Sequence, residues 1–212
     1  MKLTTMMISA LTTMMISLDL ALDPSFTRLG IFALAREGEI PLSFQKRTRN
    51  GKMGFHSIKS PHAKRKIKTD LTYSVRGGFP IANHVTTIML EEILTLVEGC
   101  EVRNLITEIP PPIGNAAVLF LLDSAIINNP NLGKVVYQVP APAIPSFFGC
   151  QKPPKKMIVQ YVMDDMGKHA IKVNHDEASA YMVMRLTQWR LRGVLKAPVI
   201  YRYDRKSLPT PI

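Results

Sequence analysis

Acidic residues are missing from a long stretch of this 212-residue chain: from 40 to 69 thirty positions pass without one, while nine Lys or Arg accumulate. Cysteine is nearly absent as well. Cys100 and Cys150 stand fifty residues apart, which excludes a disulfide framework and points to a reducing compartment. Long apolar runs are lacking too. The segment from Leu3 to Leu18 repeats TTMMIS, but its Thr and Ser residues keep it short of the roughly 20 apolar residues that span a bilayer. With one basic residue before it, and Asp19 and Asp23 where a cleavage site would need small residues, it makes a poor signal peptide. A Met-rich helix that touches lipid or a second copy is the plainer expectation for residues 1–39.

The cations are Lys46, Arg47, Arg49, Lys52, Lys59, Lys64, Arg65, Lys66 and Lys68, nine charges of the formal +11. Asn50, Gly51, Gly54, Ser60 and Pro61 are scattered among them without a repeating apolar pattern. Such a composition predicts a flexible basic arm over 40–68 that cannot bury enough surface to offset its ordering entropy. An arm of this kind attracts polyanions through counterion release or the negative potential of a membrane leaflet, so RNA, nucleoprotein or an anionic membrane surface is the expected partner. Lys64-Arg65-Lys66 with Lys68 also has the form of a nuclear import signal, which adds an import receptor. Charge is segregated beyond the arm: residues 70–150 carry three cations against seven acids, whereas seven cations return between Arg185 and Lys206.

From 69 to 206 the pattern predicts one α+β domain with a mixed or antiparallel sheet and about three helices, followed by a Pro-rich tail at 207–212. Leu71, Tyr73 and Val75 alternate with polar residues as in a half-buried strand. Val85, Met89, Ile93 and Leu96 recur at helical steps after Asn83, with Gly99 as the stop. Asn115–Ile127 is apolar nearly all round, as in a buried helix. Lys134–Val139 reads as a strand. Met157–Met163 and His169–Val173 flank Asp164-Asp165-Met166-Gly167-Lys168 as in a hairpin. Asn174 and Glu177 form a capping box that opens a helix bearing Tyr181, Met182, Arg185, Leu186 and Trp189 on one face. Pro198–Tyr203 makes a last strand.

Catalytic patterns are absent. The five histidines form no metal-ligand pair, and no Walker or Gly-x-Ser-x-Gly motif occurs. Asp164-Asp165 suits a turn. His175-Asp176-Glu177 suits a helix start, where acids favour the dipole. The residues therefore predict no enzyme, no metal and no cofactor. The proline-studded stretch 140–149 is expected to display Phe147 and Phe148 on a preorganised loop, an anchor for self-association.

Leu71-Thr-Tyr-Ser-Val-Arg-Gly-Gly-Phe-Pro80, running into the helix from Asn83, is similar to the strand, turn and helix that open the globular domain of rhabdovirus matrix proteins. Met157–Asp165 followed by a helix resembles a later part of that family. The resemblance implies a viral matrix-type structural protein that binds nucleocapsid and the inner face of the envelope, self-associates, and drives virion assembly and budding. It would reside in the virion and the host cytoplasm, with the import signal adding the nucleus. The alternative is a non-structural RNA-binding protein of the viral movement, silencing-suppressor or ribosome-associated type.

Overall fold

The computed structural model describes residues 15–25, 27–60, 78–109, 116–196, 198–204 and 210–212. Its first strand, β1 (Ile16–Pro24), exists because Leu18, Leu20 and Leu22 alternate with Asp19, Ala21 and Asp23, so that one face is wholly apolar. β2 (Arg28–Ala35), β3 (Lys46–Arg47) and β4 (Met53–Lys59) follow as antiparallel neighbours. After α1 (Gly78–Leu96) come β5 (Cys100–Ile109), α2 (Ala116–Asn128) and β6 (Leu132–Pro140). Then α3 (Ala143–Phe147), α4 (Lys155–Met166), α5 (His175–Leu191), β7 (Tyr201–Asp204) and β8 (Thr210–Pro211) complete the described elements.

The strands form one eight-stranded mixed sheet in the order β3-β4-β2-β1-β5-β6-β7-β8, with β1, β5 and β6 parallel. Each face carries its own apolar layer. Leu18, Leu20, Leu22, Ile31 and Leu105 pack with Met89, Ile93, Leu122 and Ile126 of α1 and α2. Ala21, Phe32, Phe55 and Ile106 pack on the other face with Ile144, Val162, Ala178, Tyr181 and Met182 of α3, α4 and α5.

The α+β class agrees with this mixed sheet, but five α-helices among the described residues replace the expected three. The expected helical segment 1–39 is corrected over 16–35, which is β1 and β2. The expected flexible arm is corrected over 40–60: Ile40, Phe44, Phe55 and Ile58 are buried, and β4 pairs with β2 along its whole length. Residues 61–77, with the strand expected at 71–76, lie outside the described residues. The hairpin expected at 157–173 is also corrected. Ile158, Val162 and Met166 recur at intervals of four and bury one stripe of α4, so Asp164 and Asp165 lie within a helix. Gly167 does adopt a positive φ of 52°, but as that helix's C-cap.

Candidate active site

Two parallel strands deliver two carboxylates to one place. Leu22 pairs with Thr107, and the next residue on each strand is an acid, Asp23 on β1 and Glu108 on β5. Alternation turns both side chains away from the α1–α2 layer and toward α5. From this point the chain leaves β1 toward β2 on one side and leaves β5 toward β6 on the other. Divergence at the carboxyl ends of parallel strands opens the crevice in which open α/β sheets bind ligands.

Asp23 and Glu108 share a hydrogen bond, which two ionised carboxylates cannot make. Burial raises the Asp23 carboxyl well above its ordinary range; the Glu108 charge, the hydrogen bond to Glu108 and the Asp176 charge raise it further, against a smaller opposing pull from His175. Burial raises Glu108 as well, and the hydrogen bond from Asp23 partly offsets the rise. The pair as a whole therefore holds a proton more tightly than an ordinary carboxyl does. Four residues earlier on the same face, Asp19 has a different fate. It accepts from Arg36 Nε at 3.0 Å and Asn104 Nδ2 at 2.9 Å, so its charge is spent within the fold.

The third acid arrives on α5. Asn174 caps this helix by accepting from the Glu177 amide at 2.9 Å, and the Glu177 carboxylate accepts from the Asn174 amide at the same distance. Glu177, 1% exposed, also accepts twice from Lys46 Nζ, at 2.7 and 2.9 Å, which ties the helix start to β3. Asn174 Nδ2 donates to Ser57 Oγ of β4 at 3.2 Å. Gly30, the cross-strand partner of Asp23, makes the approach possible: a Cβ there would lie 2.0 Å from the Asp176 carbonyl oxygen. Asp176 thus stands over the β1–β2 pair beside Asp23.

Arg28 Nε lies 3.6 Å from Asp176 Oδ2, and His175 Nδ1 lies 3.8 Å from Oδ1. Burial alone would raise the Asp176 carboxyl, but His175, Arg28 and Lys155 together hold it below its ordinary value. The site is therefore asymmetric, with a pair that resists ionisation beside an acid that favours it.

Hard oxygen donors suit Mg²⁺ or Mn²⁺. Among the described residues no three Asp, Glu, His or Cys side chains already stand close enough to hold a metal ion together. The Asp23–Glu108 pair nonetheless fits a cation in place of its shared proton, because Mg²⁺ commonly uses one or two carboxylates and keeps its waters. His175 Nδ1, buried and without a hydrogen-bond partner, is a further unspent polar atom at the site.

Behind Glu108, on the opposite face, Asp123 of α2 is buried and accepts from Thr107 Oγ1 at 3.1 Å and Gln138 Nε2 at 3.2 Å. Burial pushes its pKa up to about 6 despite the Thr107 hydrogen bond.

The basic residues expected to bind polyanions are divided by the fold. Lys46 is bound to Glu177 and Arg47 to Glu39, at 2.7 Å in each case. Arg49, Lys52 and Lys59 are exposed, and Lys59 lies across the β2–β4 ladder from Arg28, at the rim of the carboxylate site. Lys64, Arg65, Lys66 and Lys68 lie outside the described residues. Phe147 and Phe148 are not displayed on a loop. Phe147 ends α3 and stacks on Trp189 with centroids 5.5 Å apart, and both rings pack against Tyr161, so the expected self-association anchor is part of the apolar layer.

Sequence reasoning missed Asp23 and Glu108 and set Asp176 aside as a helix-dipole acid. The available signals were an Asp-Pro pair ending an alternating strand and a second alternating segment that ends on Glu.

No family model and no curated protein matches the chain. Solved structures do. The chain is similar to "Thermus thermophilus RuvC structure" at 14% identity and TM-score 0.49, over 92% of this chain and 99% of that one. It is also similar to "T. thermophilus RuvC in complex with Holliday junction substrate" at 12% identity and TM-score 0.47, over 93% and 99%.

Neither structure is a matrix protein, so the matrix-type reading, with its assembly and budding role, is corrected. The non-structural RNA-binding alternative fits these findings no better. The expectation of no enzyme is corrected at the Asp23–Glu108–Asp176 cluster, an arrangement of acids that the sequence reading made no room for. The Holliday junction belongs to the second of these structures, and neither is named with a membrane surface or an import receptor. Among the described residues no helix is long and apolar enough to cross a membrane.

Proposed function

We propose that this chain is a divalent-metal-dependent nuclease that hydrolyses phosphodiester bonds in nucleic acid. One observation carries the reading: the β1–β5 register sets Asp23 and Glu108 side by side at the ends of two parallel strands, where burial and their mutual repulsion disfavour ionisation, with Asp176 close enough to add its charge. Concentrating half-buried acids costs stability, and catalytic or cation-binding sites are where such an arrangement is retained. When bound, Mg²⁺ or Mn²⁺ would activate a water for attack and offset charge developing on the phosphate. Asp23 and Glu108 would hold it in place of their proton. His175, with Nδ1 3.8 Å from Asp176 Oδ1, helps keep that acid ionised beside the pair. The α5 N-terminus favours negative charge at Asp176.

The substrate follows from the surroundings. Arg28, Lys59 and Lys155 lie around the acids, and a formal charge of +11 suits a polyanion. The test is cleavage of end-labelled single strands, duplexes and a four-way junction with Mg²⁺, Mn²⁺ or EDTA. Cation-dependent products that disappear in Asp23→Asn are expected. Cleavage that persists in EDTA or in Asp23→Asn would refute the proposal, as would a parent chain that cuts no member of the panel.

A further inference from the structure

Arg28 is a cation with unused capacity. Its backbone is fixed by a turn in which the Ser25 amide donates to the Arg28 carbonyl at 3.0 Å and the Arg28 amide donates to Ser25 Oγ at 3.1 Å. Its guanidinium is about a third exposed, and its described partner is Asp176 at 3.6 Å, beyond hydrogen-bond range. Among the described residues none of its five donors makes a hydrogen bond. Directly across the ladder stands Lys59, exposed and without an acidic partner among the described residues. Like charges opposite each other destabilise a sheet, so this pair works against the strands that carry it. A cationic pair beside the acid cluster is satisfied by an anion bridging its two members.

We infer that Arg28 and Lys59 form the seat for the substrate phosphate, and that Arg28 exchanges Asp176 for the phosphate when nucleic acid binds. The inference rests on the nuclease reading and assigns that site its phosphate-binding residues. The guanidinium fork matches two non-bridging oxygens of a phosphodiester, which a 3.6 Å contact to one carboxylate oxygen does not engage. Its departure uncovers Asp176 beside Asp23 and Glu108. Before substrate arrives, Arg28 acts as a counter-ion and competes with any metal for Asp176.

This dual role predicts effects of opposite sign. In the full chain without nucleic acid, Arg28→Gln removes a repelling charge, so Mn²⁺ affinity measured by titration calorimetry is expected to hold or to tighten by up to about tenfold. Cleavage by the same variant is expected to fall on the order of 10²–10³-fold, as when one transition-state donor is removed. Arg28→Lys keeps the charge but loses the fork. Its Mn²⁺ affinity stays at the parent level while cleavage drops about tenfold, and it carries the test should Arg28→Gln melt early. Lys59→Gln is expected to weaken nucleic-acid binding and flatten its salt dependence. Cleavage by both Arg28 variants within about threefold of the parent, or cleavage and Mn²⁺ affinity lost together in a folded variant, overturns the inference alone. A parent chain that cleaves nothing overturns the nuclease reading and this inference with it.

Discussion

Gly30→Ala tests the geometry on which the site depends. The backbone of Gly30 is ordinary strand, so alanine brings no torsional penalty, and the whole effect is steric. The added Cβ would lie 2.0 Å from the Asp176 carbonyl oxygen and 2.3 Å from its carbon, where ordinary contact begins near 3.4 Å. β2 cannot retreat, because it is hydrogen-bonded between β1 and β4. The first turn of α5 must therefore move outward by more than about 1 Å. It is tied down by Lys46–Glu177 and Asn174–Ser57, so the shift strains those contacts as well. Overpacking of this kind costs about 1–3 kcal/mol. For a domain of this size each kcal/mol lowers Tm by roughly 2–4 °C, so a loss of roughly 2–12 °C is expected. Displacing a group at the reacting centre by about 1 Å can cost on the order of 10²-fold in rate, so cleavage is expected to suffer more than folding. Urea denaturation and cleavage under Mn²⁺ measure the two effects. A variant as stable and as active as the parent would show that α5 does not depend on this contact.

Asp23→Asn is expected to abolish cleavage yet raise the melting temperature at pH 7, because it removes an acid whose ionisation is opposed by burial and by Glu108; a drop in Tm would contradict the account. Lys46→Met leaves Glu177 charged and 1% exposed, at a cost of about 3 kcal/mol, the low end for a broken buried pair because Lys46 is itself a third exposed. Glu177→Gln keeps a capping residue and frees Lys46 to solvent, so chemical denaturation is expected to show the smaller loss for it. Asp123 titrates near 6 in the native state against an ordinary 3.8, so the native state keeps this proton to higher pH than the unfolded chain does. Its contribution is complete below about pH 4 and is lost as pH rises through 6, on the order of 3 kcal/mol. Urea melts from pH 4 to 7 are expected to be flatter for Asp123→Asn by that amount, and equal slopes would refute the assignment.

Where an apolar pattern is one-sided and local, the sequence told the fold correctly. Val85, Met89, Ile93 and Leu96 bury one stripe of α1, and the capping box at Asn174 opens α5 as expected. Elsewhere the pattern is disguised. α4 reads as a strand because Ile158, Val159, Tyr161 and Val162 are strand-favouring types, and only their packing against α5 decides for a helix. β5 was passed over because the pairing register slips between Val102 and Asn104, which breaks the alternation at Arg103. The misjudged arm follows from counting charge over a long window. Lys46, Arg47 and Lys59 lie at strand ends or edges, and the burial of Ile40, Phe44 and Ile58 on one face and of Phe55 on the other depends on β2, α1 and α5, elements distant in the chain.

The site was illegible for a related reason. Asp23, Glu108 and Asp176 are separated by 85 and 68 positions, and taken singly each has a local explanation as a strand-end, strand or helix-start acid. They become chemistry only when the parallel pairing of β1 with β5 sets the first two side by side and Gly30 admits the third. A glycine inside an otherwise apolar strand costs stability, and here the close approach of another backbone gives the reason for it. An acid with cations of its own, such as Asp19 with Arg36, is explained by the fold. Among the described residues Asp23 has no such partner, which separates the two aspartates of one strand face: the fold accounts for the first and not for the second. The same reasoning divides the basic residues. Lys46 and Arg47 are spent on Glu177 and Glu39, while Arg28 has one long contact to Asp176, Lys59 opposite, and no side-chain hydrogen bond among the described residues.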